Sequence, residues 1–133
     1  MTQRGLQSLL TAAARHWPAL TLSGLAAITY LSLSPLDRLP DAPGGDKLHH
    51  LVAYALLALP ACLARPRGFP ALLCLFLAWG GAIEMIQPYV NRYGEWLDFL
   101  ANAGGVGLGL VLSLPLRSLM PKADRAKADG RAA

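Results

Sequence analysis

Polar residues punctuate this chain at intervals and leave long apolar runs between them. Four runs stand out: "WPALTLSGLAAITYLSLS" (17–34), "LHHLVAYALLALPACLA" (48–64), "FPALLCLFLAWGGAIEMIQ" (69–87) and "DFLANAGGVGLGLVLSLPLRSLM" (98–120). A helix that crosses a bilayer needs about 20 mostly apolar residues, and all four runs are of that order. Pro and Gly fill the gaps between them: Pro35, Pro40, Pro43, Gly44 and Gly45, then Pro66 and Gly68, then Pro88 and Gly94. The loops are short, so consecutive helices should run antiparallel. A soluble bundle would need polar outer faces at helical spacing, and "PALLCLFLAWGGAI" offers none. The pattern predicts an all-α polytopic membrane protein, an antiparallel bundle of four transmembrane helices. Residues 1–16 are expected to form a cytoplasmic or interfacial segment. The tail from 121 to 133, "PKADRAKADGRAA", is expected to be disordered and basic.

Composition agrees with the pattern. Hydrophobic residues make up 54% of the 133 and charged residues 15%, against about 25% charged in a soluble domain. The placement of the basic residues then sets an orientation. One side of the predicted bundle holds Arg4, Arg15, Arg65, Arg67, Arg117, Lys122, Arg125, Lys127 and Arg131; the other holds Arg38, Lys47 and Arg92. The first side should be cytoplasmic, with both termini. Tyr89, Tyr93 and Trp96 suit an outer interfacial belt and Trp17 an inner one. Arg4, Arg15 and the run after them also have the charge order of a signal peptide. The run is long for that and no A-x-A site closes it, so it is read as a retained span. Cys62 and Cys74 lie inside apolar runs, as small hydrophobes do.

The remaining polar groups share one end. Asp46, His50 and Tyr54 are spaced i, i+4, i+8, along one helix face. Glu84 and Gln87 close the third run. Asp98 and Asn102 open the fourth, and Gly105 and Gly109 continue their stripe as a small-xxx-small packing motif. Arg92 lies in the loop between Gln87 and Asp98, and Lys47 beside Asp46. A carboxylate facing lipid costs roughly 2.5 to 3.5 kcal/mol at mid-span. Glu84 and Asp98 should therefore turn inward, forming an outward-facing polar hollow between the second, third and fourth spans. His49 points about 100° from His50 and is expected at the interface, outside the cluster.

These residues carry a family resemblance. D46-K47-x-x-H50 with Tyr54, E84-x-x-Q87, Arg92, Asp98, Asn102, Gly105 and Gly109, in this order, resemble the VanZ-like family of small bacterial membrane proteins. The "SLSP" that ends the first run is similar to the family's S-x-x-P entry into the outer loop. The resemblance covers about residues 25 to 112. Leu51 stands where an aromatic residue is common, and "PYVNR" replaces a looser P-G-R turn. The resemblance implies an integral protein of the bacterial cytoplasmic (inner) membrane. The family's namesake is linked to low-level resistance to teicoplanin, a glycopeptide that acts on cell-wall precursors.

Three kinds of chemistry fit the cluster, beside a structural reading in which interhelical hydrogen bonds merely hold the bundle. One is recognition of an anionic lipid head group, a cell-wall precursor or a glycopeptide-type antibiotic, with Arg92 as a bidentate clamp. Another is an enzyme on a lipid-linked substrate, with His50, Glu84 and Asp98 as acid-base candidates. There is no H-E-x-x-H, nucleophile elbow or P-loop to support it. The third is a cation site, since a His among carboxylates can hold a hard or borderline ion. A lone His is more often hydrogen-bonded, so neither a metal nor a cofactor is expected. Membrane lipids are expected partners and nucleic acid is not; the oligomeric state stays open.

Overall fold

The computed structural model describes residues 2–34, 45–90 and 93–128. It contains six α-helices and a single 3-10 turn among these residues, with no strand. In chain order they are α1 (Gln3–Arg15), α2 (Trp17–Leu33), α3 (Gly45–Ala64), α4 (Phe69–Ile86), the 3-10 turn Gln87–Val90, α5 (Trp96–Leu119) and α6 (Lys122–Ala128).

Consecutive helices run antiparallel from α2 to α5. His50 and Tyr54 of α3 meet Glu84 and Gly80 of α4 in reverse order. The most extensive contact, however, is between α3 and α5, which run parallel. Leu51 faces Gly105 and Ala55 faces Gly109 along this seam. A Cβ at Gly105 would run into the Leu51 carbonyl oxygen, and one at Gly109 would lie 2.7 Å from the Ala55 carbonyl oxygen. Only glycine permits this backbone approach. The core beside the seam is correspondingly small in grain: Ala58, Ala61 and Cys62 are fully buried.

Large apolar residues lie on the outside. Leu22, Leu56, Met85, Val111 and Leu114 are exposed, the reverse of a water-soluble core. Of the most apolar window of α4, only 17% is buried, although its mean hydropathy is 1.8. Three helices, α3, α4 (with the 3-10 turn) and α5, are long and apolar enough to cross a membrane, as in a helical membrane protein. The predicted first span appears as the 17-residue helix α2. At 1.5 Å per residue it is about 26 Å long, short of a hydrocarbon core of about 30 Å.

Several boundaries move. Helix α3 begins at Gly45, so Asp46 and Lys47 occupy its first turn. Residues 3–15 form a separate helix, α1, capped by Thr2, whose hydroxyl accepts from the Gly5 N–H at 3.3 Å. Its Leu10 and Ala14 pack with Leu63, Ala64 and Met120. The tail, expected to be disordered, contains the two-turn helix α6. Its Ala-rich sequence, with Asp124 in the first turn and basic residues in the last, suits the helix dipole. Thr11 donates to Asp124 at 3.2 Å and ties α6 to α1.

Candidate functional site

The glycine seam positions the polar end of the bundle. Because α3 and α5 approach so closely, the short side chains of Asp98 and Asn102 reach α3. His50 Nδ1 lies 2.9 Å from Asn102 Oδ1. A carbonyl oxygen can only accept, so Nδ1 is the donor in this contact. Nε2 faces Asp98 Oδ2 at 3.9 Å. Glu84 Oε1 of α4 is 3.9 Å from Nδ1. The imidazole thus lies within 4 Å of carboxylates from two other helices. His50 and Asp98 are buried, and the side chain of Glu84 is 9% exposed.

A rim closes the site. Lys47 Nζ donates to Glu95 Oε2 at 2.7 Å and lies 3.4 Å from Asp98 Oδ1. The Glu95 backbone N–H donates to Glu84 Oε2 at 3.2 Å. This last contact depends on Gly94, where a Cβ would collide with the Glu84 carbonyl oxygen. Without a side chain at 94, the chain can lie across the end of α4. Beneath the imidazole, Tyr54 and Asn102 are each only 1% exposed. The Tyr54 hydroxyl and Asn102 Nδ2 have no hydrogen-bond partner among the described residues. A Cβ at Gly80 would lie 2.9 Å from both atoms, so that glycine makes room for them.

The predicted site residues divide. His50, Tyr54, Glu84, Asp98 and Asn102 converge, and Lys47 joins them at the rim. Gly105 and Gly109 lie in the α3–α5 seam that brings them together. Asp46, expected to turn inward with His50, is instead exposed. It sits in the first turn of α3. Its acid still suits the positive end of that helix. Gln87 is buried but turns to α2, where its Nε2 donates to the Ser32 carbonyl oxygen at 3.2 Å. Arg92 lies outside the described residues. His49 is exposed.

Two contributors were not singled out by the sequence pattern. Glu95 belongs to none of the sequence motifs, and Gly94 enters only as a loop breaker. The spacing of Glu95, three residues before Asp98, could have flagged it. Gly94 had no such signal, because its role depends on a contact with Glu84 ten residues earlier.

The opposite end of the bundle is built differently. Arg117 is buried and its guanidinium donates to the Leu63 carbonyl oxygen near the end of α3. A surface hollow of about 420 Å³ there is lined by Arg4, Thr11, Arg15, His16 and Asp124, among others. No family model matches the chain, and neither the curated proteins nor the solved structures include a significant match to it.

Proposed function

We propose that the chain is a VanZ-like integral protein of a bacterial inner membrane. In this reading α2 to α5 are four spans, both termini are cytoplasmic, and the His50 end faces outward. Its function is to recognise the polar part of an amphiphile: a lipid head group, a lipid-linked cell-wall precursor or a glycopeptide-type antibiotic. The observation that carries this is the convergence of His50, Glu84, Asp98 and Asn102 from three helices at one end of the bundle. Ionisable groups at membrane depth face the bundle interior and mark ligand or ion pathways.

The contacts of Lys47 refine the ligand chemistry. Lys47 is already engaged by Glu95 and Asp98, so the described side chains offer mainly acceptors. They suit the amine, amide and hydroxyl donors of a wall precursor or glycopeptide better than a bare phosphate. Because the imidazole and its flanking acids are buried, such a ligand meets the rim at Lys47, Glu95 and Trp96 first. The test is binding of a lipid-linked wall precursor to protein in lipid nanodiscs. Glu95→Gln should weaken binding by about tenfold, the scale of one charge-assisted hydrogen bond. Equal affinity of wild type and variant for the precursor and for plain phospholipid would sink the reading.

A membrane-embedded enzyme acting on a lipid-linked substrate is the second reading. An imidazole flanked by carboxylates is a general acid-base arrangement, and that specific geometry favours it. Here His50→Ala would leave precursor binding intact and stop turnover. Binding without any product from wild-type protein removes the enzyme reading and leaves recognition standing.

A further inference from the structure

We propose that His50, Glu84 and Asp98 form a binding site for a divalent transition-metal ion of the zinc or manganese class. One donor atom from each of the three lies within 4.8 Å of the others. The set is mixed, one imidazole nitrogen with two carboxylate oxygens. That composition suits zinc or manganese better than calcium, which takes six to eight oxygens.

The way each donor is held supports a metal more than a hydrogen-bonded cluster. His50 has its Nδ1–H on Asn102 Oδ1, which fixes the ring and its tautomer. Glu84 has Oε2 on the Glu95 N–H. Asp98 has Oδ1 beside the Lys47 ammonium. In each case one polar atom is oriented by a neighbour, while the three residues still bring one donor atom each within 4.8 Å of the others. Metal-binding histidines and carboxylates are oriented in this way by outer hydrogen bonds. The 3.9 Å from Nε2 to Asp98 Oδ2 is too long for a hydrogen bond. It is short enough for one ion about 2.0 to 2.2 Å from each atom to bridge. Drawing all three donors onto one ion requires shifts of about 0.5 to 1.5 Å toward tetrahedral spacing, within the range of side-chain rotation.

The polar atoms around the cluster lead to the same conclusion. Asp98 Oδ1, in a side chain 6% exposed, also has no hydrogen-bond partner among the described residues. The buried Asn102 Nδ2 and Tyr54 hydroxyl are likewise unpartnered donors, available to a fourth, non-protein ligand. The site stands whichever amphiphile is recognised at the rim, because it needs only these buried side chains.

The experiment uses full-length protein carrying no polyhistidine tag, in nanodiscs. Bound metal is stripped with chelator, and zinc and manganese are titrated separately by calorimetry. Elemental analysis of the reloaded protein gives stoichiometry. One equivalent of either metal per chain, with micromolar or tighter affinity, is expected. Asp98→Asn and Glu84→Gln keep shape and should weaken binding by at least about 100-fold, and Asn102→Ala by about 10- to 100-fold. His49→Ala should change nothing. Circular dichroism and gel filtration confirm that each variant is folded before its affinity is read. Less than one-tenth equivalent of both metals on wild type overturns the site, as does unchanged affinity in folded Asp98→Asn and Glu84→Gln. Precursor binding that survives complete metal removal counts against neither outcome, so the two proposals fail separately.

Discussion

Both ends of the bundle bury charge, and they do so for different ends. At one end a single cation, Arg117, is buried and donates to the Leu63 carbonyl oxygen. That carbonyl belongs to the last turn of α3, where no helical N–H remains to satisfy it. The guanidinium stitches α5 to the end of α3. At the other end His50, Glu84 and Asp98 come from three helices, and His50 lies 3.9 Å from each of the two acids. These distances are beyond hydrogen-bond range, so the imidazole bonds neither acid and is held by Asn102 instead. One end uses its charge to complete backbone hydrogen bonding. The other assembles reactive groups and orients them with neighbours.

The comparison predicts which substitutions cost stability and which cost binding. The largest effect is all-or-none. In a protein lacking Cys62 and Cys74, Glu95→Cys should react with an impermeant thiol reagent added outside intact cells, and Arg65→Cys should not. Labelling of both positions from the same side would break the antiparallel topology. Next is the seam shared by both ends. Gly105→Val should lower stability by about 3 kcal/mol through overpacking against Leu51 and Tyr54, measured as a shift in the detergent-denaturation midpoint. A change below about 1 kcal/mol would mean that the α3–α5 approach is loose.

The two ends are then contrasted directly. Arg117→Ala should cost about 1 to 3 kcal/mol, the price of an unsatisfied buried carbonyl. Asp98→Asn should cost less than about 1 kcal/mol in metal-free protein, because it relieves two neighbouring carboxylates. If the order is reversed, the polar cluster holds the bundle and the structural reading takes over. The smallest effect belongs to the half-exposed ion pair at the rim. Lys47→Gln should leave the thermal midpoint within the scatter of replicate melts, since solvent-exposed pairs contribute little. A clear loss would move Lys47 into the structural group with Arg117.

Much of the bundle was legible because membrane helices obey a length and hydropathy rule that acts locally. The three long apolar helices fall within three residues of the runs read at 48–64, 69–87 and 98–120. The first run, read at 17–34, is the helix α2 at Trp17–Leu33, parted from α1 at His16. His50, Glu84, Asp98 and Asn102 could be placed in one slab because each lies at a helix end of known direction. Asp46 shows the limit of that logic. Helical spacing puts it on the His50 face, but burial depends on what packs against each position, and Asp46 is exposed while its neighbour Lys47 reaches Glu95 and Asp98. Gln87 shows a second limit, since it was expected in the polar cluster with His50 but is buried against α2, where it donates to the Ser32 carbonyl oxygen.

By itself, then, the sequence determined an all-helical, lipid-suited chain with His50, Glu84, Asp98 and Asn102 at one end and most of its bases at the other. Apolar run length and charge placement act through the solvent, one segment at a time, so they need no knowledge of packing. Only the tertiary structure decided that the closest pair is the parallel one, α3 and α5, and that Lys47 pairs with Glu95 and Asp98. It also decided that Gly94 opens the way for the Glu95 N–H to reach Glu84. These are contacts between residues distant in the chain or on crossing backbones, and their geometry is set by how closely the helices approach. The glycines at 105 and 109 set that approach, and through it they place the His50 imidazole beside the carboxylate of Asp98.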